Sequence, residues 1–296
     1  MEKNPLKFDF AKLVTEVQDT FKKDKDKDKL MRKVGTACNL KVFTDDDFIR
    51  LGEWWTIPTQ TKGIPFNALT LIAGTSDSGK TESCIQFMLA AQQQGVGIIY
   101  CESEVKTQKN DLIRRGINPE QVMLIQARLA EEAFEYTHRA IDIFRSNYPE
   151  APLLVIIDSL GNMLSQRDAE MDMMKDSAKV GGKSVVNRIG LNGLVARMEA
   201  DTKMAIVLVS YTYDNIGSPG KTNAGGTAMN FFSSLTYQTS RKGWVEKIEN
   251  GVKKRIGAEV LWKLYKNHIN KDNPGLKEIT FRITDKGFEF VNGKED

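Results

Sequence analysis

From about Ala68 the chain alternates between short, largely apolar runs and longer stretches whose apolar residues recur every three or four positions. The runs at 68–73, 96–101, 122–125, 153–158 and 205–210 have strand length and predict β-strands. Between them, Leu129, Ala133, Tyr136, Ala140 and Ile143 step by four and three, while Leu191, Leu194, Val195 and Met198 form a second stripe, and each set predicts an amphipathic helix. Strands that are apolar on both faces, alternating with such helices, imply an α/β fold with a mostly parallel twisted sheet covered by helices on both sides. After Ser234 the pattern changes, and candidates at 235–239, 259–265, 277–283 and 287–291 follow one another with few helical stretches between them. They predict antiparallel strands that extend the sheet toward the C-terminus.

The beginning of the chain has a different texture. Residues 8–21 carry Phe10, Leu13, Val14, Val17 and Phe21 on one face of a possible helix, and KKDKDKDK at 22–29 is an alternating-charge run that stays solvated as a tether. A tethered amphipathic helix has to bury its stripe, and a neighbouring molecule is the favoured surface. The expected organisation is an oligomerisation arm at 1–32 and a core at 33–296.

At 296 residues the chain is long enough for one large domain or a core with a small appendage. Its net charge of +3 permits a nucleic-acid partner without arguing for one, so any such site has to be local. Three cysteines cannot all pair, and Cys84 and Cys101 fall on a predicted core helix and strand, which suits a reducing cytoplasm better than a disulfide framework. Two histidines and no CxxC pair argue against zinc. No stretch approaches membrane-span length, and MEKNPLKFDF lacks a signal-peptide apolar region, so a cytoplasmic protein without a membrane partner is expected.

Chemistry enters at Gly74–Thr75–Ser76–Asp77–Ser78–Gly79–Lys80–Thr81, which fits GxxxxGK[ST] at every fixed position and lies between a predicted strand and a predicted helix. Small residues let successive backbone N–H groups curl around phosphates, and the following helix points its positive end at them. Lys80 is expected to reach the outer phosphates of ATP and the Thr81 hydroxyl to ligate Mg²⁺. The apolar run ending in Asp158 places a carboxylate at a strand terminus facing the same crevice, a second Mg²⁺ ligand. A further strand ends in Glu102 and Glu104, either of which could orient a water for hydrolysis, and side-chain alternation alone does not choose between them.

The phosphate loop, the Glu-Ser-Glu strand end, IDSLGN at 157–162, SYTYD at 210–214 and AGGTAMNFFSS at 224–234 together resemble RecA-type recombinases in order and spacing, most closely the bacteriophage UvsX branch, over roughly residues 8–291. The resemblance implies that Glu104 positions the attacking water, that Lys80 and Lys266 are the catalytic cations, and that Lys266 acts on ATP held by the adjacent protomer. It further implies DNA-binding loops near 163–183 and 214–226, with Arg167, Lys175, Lys179, Lys183, Lys221, Gly225 and Gly226 toward single- and double-stranded DNA. A helical homo-oligomer joined through the N-terminal arm would follow, with single-strand-binding and mediator proteins as possible partners and the host cytoplasm as location if the source is a phage. Three departures stand out: Tyr211 where the family usually has Gln or His, His268 at the second of two basic positions, and no UvsX-type extension after Val291. The competing expectations are a hexameric replicative-helicase ATPase, whose core shares this topology, and a nucleotide-dependent assembly protein with no DNA substrate.

Overall fold

The computed structural model describes residues 9, 12–16, 19, 42–170, 182–200, 203–214, 221–223 and 228–291. The chain divides into two compact units, Met1–Thr44 and Asp45–Asp296. In the first, residues 12–16 are helical. Phe10, Val17, Phe21 and the charged run at 22–29 lie outside the described residues.

The second unit runs β1 (Phe48–Arg50), α1 (Glu53–Thr59), β2 (Gly63–Pro65), β3 (Leu69–Gly74), α2 (Lys80–Gln93), β4 (Gly97–Glu102), α3 (Lys109–Arg114), β5 (Met123–Gln126), α4 (Ala130–Asn147), β6 (Leu153–Asp158), α5 (Gln166–Glu170), α6 (Gly182–Ala200), β7 (Met204–Asp214), β8 (Lys221–Asn223), α7 (Ala228–Phe232), β9 (Leu235–Glu249), β10 (Val252–Asn267), β11 (Glu278–Thr284) and β12 (Gly287–Phe290). The main sheet has the order β12-β11-β10-β9-β3-β7-β6-β4-β5, and β8 pairs with β7. From β5 to β9 every neighbouring pair is parallel, and β10, β11 and β12 then add antiparallel strands.

Alternation along these strands divides the core into two layers. Ile72, Ile98, Tyr100, Leu154, Ile156, Val207 and Val209 face α2 through Cys84, Phe87 and Met88, together with Trp55, Trp262 and Phe281. The intervening Leu71, Ile99, Val155, Ile157, Ile206 and Leu208 face the other way, onto α4 and α6 through Ala133, Phe134, Leu191, Leu194 and Met198. Such a strand loses nothing to an exposed face, and each fully buried Leu, Ile or Val contributes about 1.5–3 kcal/mol relative to solvent.

Two expectations need correction. The segment 235–239 pairs parallel with β3, because α7 returns the chain to the same end of the sheet, and the antiparallel part begins only at β10. On α4 the buried face is Ala130, Ala133, Phe134, Thr137, Ala140 and Ile141, whereas Tyr136 and Ile143 are exposed. Small residues decided the phase here. A Cβ added to Gly190 of α6 would lie 2.3 Å from the Phe134 ring, so the two helices meet where a bare backbone receives an aromatic face.

β9 and β10 continue past the sheet as a two-stranded ribbon closed at Asn250 and Gly251, whose φ values of 53° and 76° are those of a type I′ turn.

Candidate functional site

β3 ends at Gly74 and α2 begins at Lys80, so the phosphate-loop residues 75–79 form the turn between a fully buried strand and a helix buried along one face. Gly79 has φ 87°, a left-handed conformation that costs glycine nothing, and a Cβ there would meet Ile283 Cδ1 at 2.2 Å. The loop is tied from several sides. Ser78 Oγ donates to the Thr75 carbonyl at 2.7 Å and shares a 2.6 Å hydrogen bond with Thr239 Oγ1 on β9. Thr75 N–H donates to the Thr239 carbonyl at 3.2 Å, and buried Trp262 Nε1–H of β10 donates to the Ser78 carbonyl at 3.2 Å. From β9, Arg241 Nη1 pairs with Asp77 Oδ2 at 2.7 Å.

Inside this frame Lys80 Nζ donates to the carbonyls of Gly74 (3.1 Å) and Thr75 (2.5 Å). Burial lowers its pKa to about 8 despite the raising influence of Asp158 and Glu104. Thr81 Oγ1 donates to Asp158 Oδ2 at 2.9 Å, and Tyr100 OH donates to the same oxygen at 3.3 Å. Asp158 ends β6 beside β4, and the peptide to Ser159 is cis. Burial raises the Asp158 pKa to about 6, against the lowering effect of the Thr81 bond. A hydroxyl and a carboxylate converging at hydrogen-bond distance form the hard oxygen donor set that Mg²⁺ prefers, so the pair expected to hold the metal fits it.

The two glutamates separate cleanly. β4 stops at Glu102, whose buried side chain turns back so that Oε1 accepts the backbone N–H groups of Lys106 and Thr107, both at 2.7 Å. Its Oε2 is buried without a partner among the described residues. Glu104 lies beyond the strand, before Val105 at φ 54°, so strand alternation no longer applies to it. It lines the cavity, accepts a 2.7 Å bond from Tyr211 OH and a bond from Asn162 Nδ2 at the same oxygen, and pairs with Lys106 through Oε2. Burial pushes its pKa up, but the bonds from Lys106, Tyr211 and Asn162 outweigh that, and the net shift is downward.

Around these groups is a cavity of about 490 Å³, lined by residues 77–82 and Glu104 on one side and by Arg115, Trp244 and Thr284 on the other. The far wall was not anticipated from the sequence. Arg115 Nη1 pairs with Glu82 Oε1 at 2.7 Å and leans on the Thr284 carbonyl at 3.4 Å, while the Trp244 ring lies under the guanidiniums of Arg241 and Arg255 at 4.2 and 4.6 Å. A motif search finds contiguous residues, and these come from β9, β10, β11 and the end of α3.

Lys266 is not in this cavity. It projects from β10, donates to the Asn230 carbonyl at 3.1 Å, and burial lowers its pKa. Burial and the neighbouring charges of Lys266 and Lys271 also lower the His268 pKa. Arg167 is exposed on α5. Lys183, near the start of α6, donates to the Gly161 carbonyl and is half-buried. Lys221 is in β8, paired with β7, and Lys175, Lys179, Gly225 and Gly226 lie outside the described residues.

A parallel sheet that carries a phosphate loop at its centre, with an acid ending each of the two strands beyond β7, defines a phosphate-loop α/β core. The RecA N-terminal domain family matches residues 48–288, and this chain belongs to that family. Protein RecA of Fusobacterium nucleatum subsp. nucleatum is 25% identical over 224 residues, covering 75% of this chain and 55% of its own length. Protein RecA of Mesoplasma florum is 25% identical over 235 residues (78% and 66%), and that of Aquifex aeolicus 25% over 230 residues (77% and 62%). This chain therefore spans between 55% and 66% of these relatives.

Proposed function

We propose that this protein is an ATP-dependent DNA recombinase that assembles as a helical filament on single-stranded DNA, pairs it with homologous duplex and exchanges strands in recombination, repair and recombination-dependent replication. The observation that carries the reading is the convergence of Lys80, Thr81 and Glu104 on one cavity, with Asp158 bonded to Thr81 beneath it, in a chain of the RecA family. Residues 74–81 would cradle the phosphates, Thr81 and Asp158 would hold Mg²⁺, and Glu104 would orient the attacking water. The ion, when bound, neutralises charge on the phosphates.

The finer parts of the reading rest on the motif resemblance. They are the UvsX-like branch, an arm at 1–32 that joins protomers, Lys266 acting across the interface, and DNA contacts by Arg167, Lys175, Lys179, Lys183, Lys221, Gly225 and Gly226. Partnership with single-strand-binding and mediator proteins and residence in the cytoplasm, a host's if the source is a phage, belong to the same reading. Among the described residues no helix is long and apolar enough to cross a membrane.

The test is ATP turnover with and without single-stranded DNA, together with electron microscopy of the protein with that DNA and a nonhydrolysable ATP analogue. Stimulated turnover and extended filaments are expected. Closed rings would support a hexameric helicase instead, and turnover and assembly indifferent to DNA would overturn the recombinase reading.

A further inference from the structure

One aromatic side chain touches both charged ends of the site. Tyr211 OH donates to Glu104 Oε1 at 2.7 Å, and Lys80 Nζ lies 4.1 Å from the centroid of the same ring. We propose that Tyr211 is a positioning residue that sets the Glu104 carboxylate and the Lys80 ammonium relative to one another, the first through its hydroxyl and the second through its ring face. This inference rests on the ATPase reading above.

The backbone explains why such a device is needed. Glu104 lies past the end of β4, so no ladder orients it, and its place depends on the donors around it. Those are Tyr211 from β7, Asn162 from the turn after β6, and Lys106 two residues along its own loop. Lys80 and Asp158 act on the same space through their charges. Of the three donors, Tyr211 has the firmest base. Its backbone is in register with Gly74 on the adjacent strand, so the ring is planted beside the first residue of the phosphate loop. A cation over an aromatic face is attracted by the ring's negative face, and a half-buried setting strengthens that attraction. A phenol alone among side chains offers a face to an ammonium and a neutral O–H donor to a carboxylate.

The two contacts separate in two variants. Tyr211→Phe keeps the ring and removes the donor. Turnover should fall about tenfold, the worth of a hydrogen bond to a charged group, while the dissociation constant for Mg²⁺-ATP stays within about twofold. The acidic limb of the kcat–pH profile should also move to higher pH, because a bond that keeps the Glu104 pKa low is gone. Tyr211→Leu removes the ring as well, and nucleotide binding should weaken about tenfold in addition. Wild-type turnover with an unmoved acidic limb in Tyr211→Phe, or wild-type nucleotide affinity in a folded Tyr211→Leu, would overturn the proposal. If Tyr211→Leu fails to fold, Tyr211→Phe decides alone. Glu104→Gln keeps the two failures apart: undiminished turnover in that variant would remove the functional reading itself, whereas an inactive Glu104→Gln beside a normal Tyr211→Phe would remove only this inference.

Discussion

Trp262→Phe separates what holds the fold from what holds the phosphate loop. Trp262 is 1% exposed and packs against Tyr237 at 5.1 Å, Phe288 at 5.3 Å and Phe281 at 5.8 Å, while its Nε1–H reaches the Ser78 carbonyl at 3.2 Å. Phenylalanine keeps most of the packing. Losing the pyrrole edge removes roughly two buried carbon-sized groups, about 1.5 kcal/mol at about 0.8 kcal/mol each. Losing the donor strands a buried carbonyl, a further cost of about 1–3 kcal/mol. The total, about 2.5–4.5 kcal/mol, should lower the melting temperature by about 5–15 °C. Leu208→Ala is the comparison. It empties the opposite layer, where Leu208 is wholly buried, at a similar cost of about 2–5 kcal/mol. Dissociation constants for a fluorescent ATP analogue, measured well below both melting temperatures, should rise several-fold for Trp262→Phe and remain at the wild-type value for Leu208→Ala. Equal affinities in the two variants would refute the idea that the indole shapes the loop.

The remaining predictions concern the carboxylates and the proposed action of Lys266 across a subunit contact. Glu104→Gln should keep nucleotide binding and slow hydrolysis by orders of magnitude, while Glu102→Gln, which alters the acceptor for the Lys106 and Thr107 amides, should act mainly on thermal stability; a Glu102→Gln variant that is the slower enzyme at unchanged stability would reverse the assignment. Asp158, with its pKa raised by burial to about 6, binds its proton more tightly folded than unfolded, so in chelator its contribution is full below the unfolded value near 4 and is lost as pH rises toward 6. Denaturant titrations across that range should show wild-type stability falling more steeply than that of Asp158→Asn, and parallel curves would contradict the shift. Lys266→Ala should leave nucleotide binding intact and abolish DNA-stimulated hydrolysis, and mixing it with Glu104→Gln should restore part of the turnover; co-assembled mixtures without rescue would exclude action in trans.

The sheet was readable because its central strands are buried on both faces and carry no polar interruption from Leu153 to Ile157 or from Met204 to Val209. The outer half of the β9–β10 ribbon was not, since residues 240–258 carry charge on both sides of a solvated hairpin and therefore show neither a continuous apolar run nor clean alternation. Its one local signal was Asn250–Gly251, a favoured type I′ turn pair. The α4 stripe predicted by periodicity falls out of phase because periodicity weights Tyr136 and Ile143 above alanines, while close helix packing selects the alanines. In the site, Lys80, Thr81 and Asp158 stood out because their chemistry depends on a short motif and a strand end. The distinction between Glu102 and Glu104 depends on where β4 stops, which alternation does not encode. Thr239, Trp262, Arg241 and Arg115 reach the site only through tertiary neighbours, and no local pattern announces them.

The central place of β3 has a consequence for motion. β3 is paired along both edges, with β7 and with β9, whereas β5 at one rim has a single neighbour and a largely exposed surface. Opening free energies in a domain grade from near zero at frayed margins to the full unfolding value at doubly paired interior strands. The amides of residues 69–74 therefore belong among the last to exchange with deuterated solvent, and those of residues 123–126 among the first. Strand β3 beneath the phosphate loop is accordingly a poor place for a hinge. Any rearrangement that accompanies nucleotide turnover has to be carried by what the loop touches: the far end of β7, the Glu104 turn and the ribbon behind Arg241.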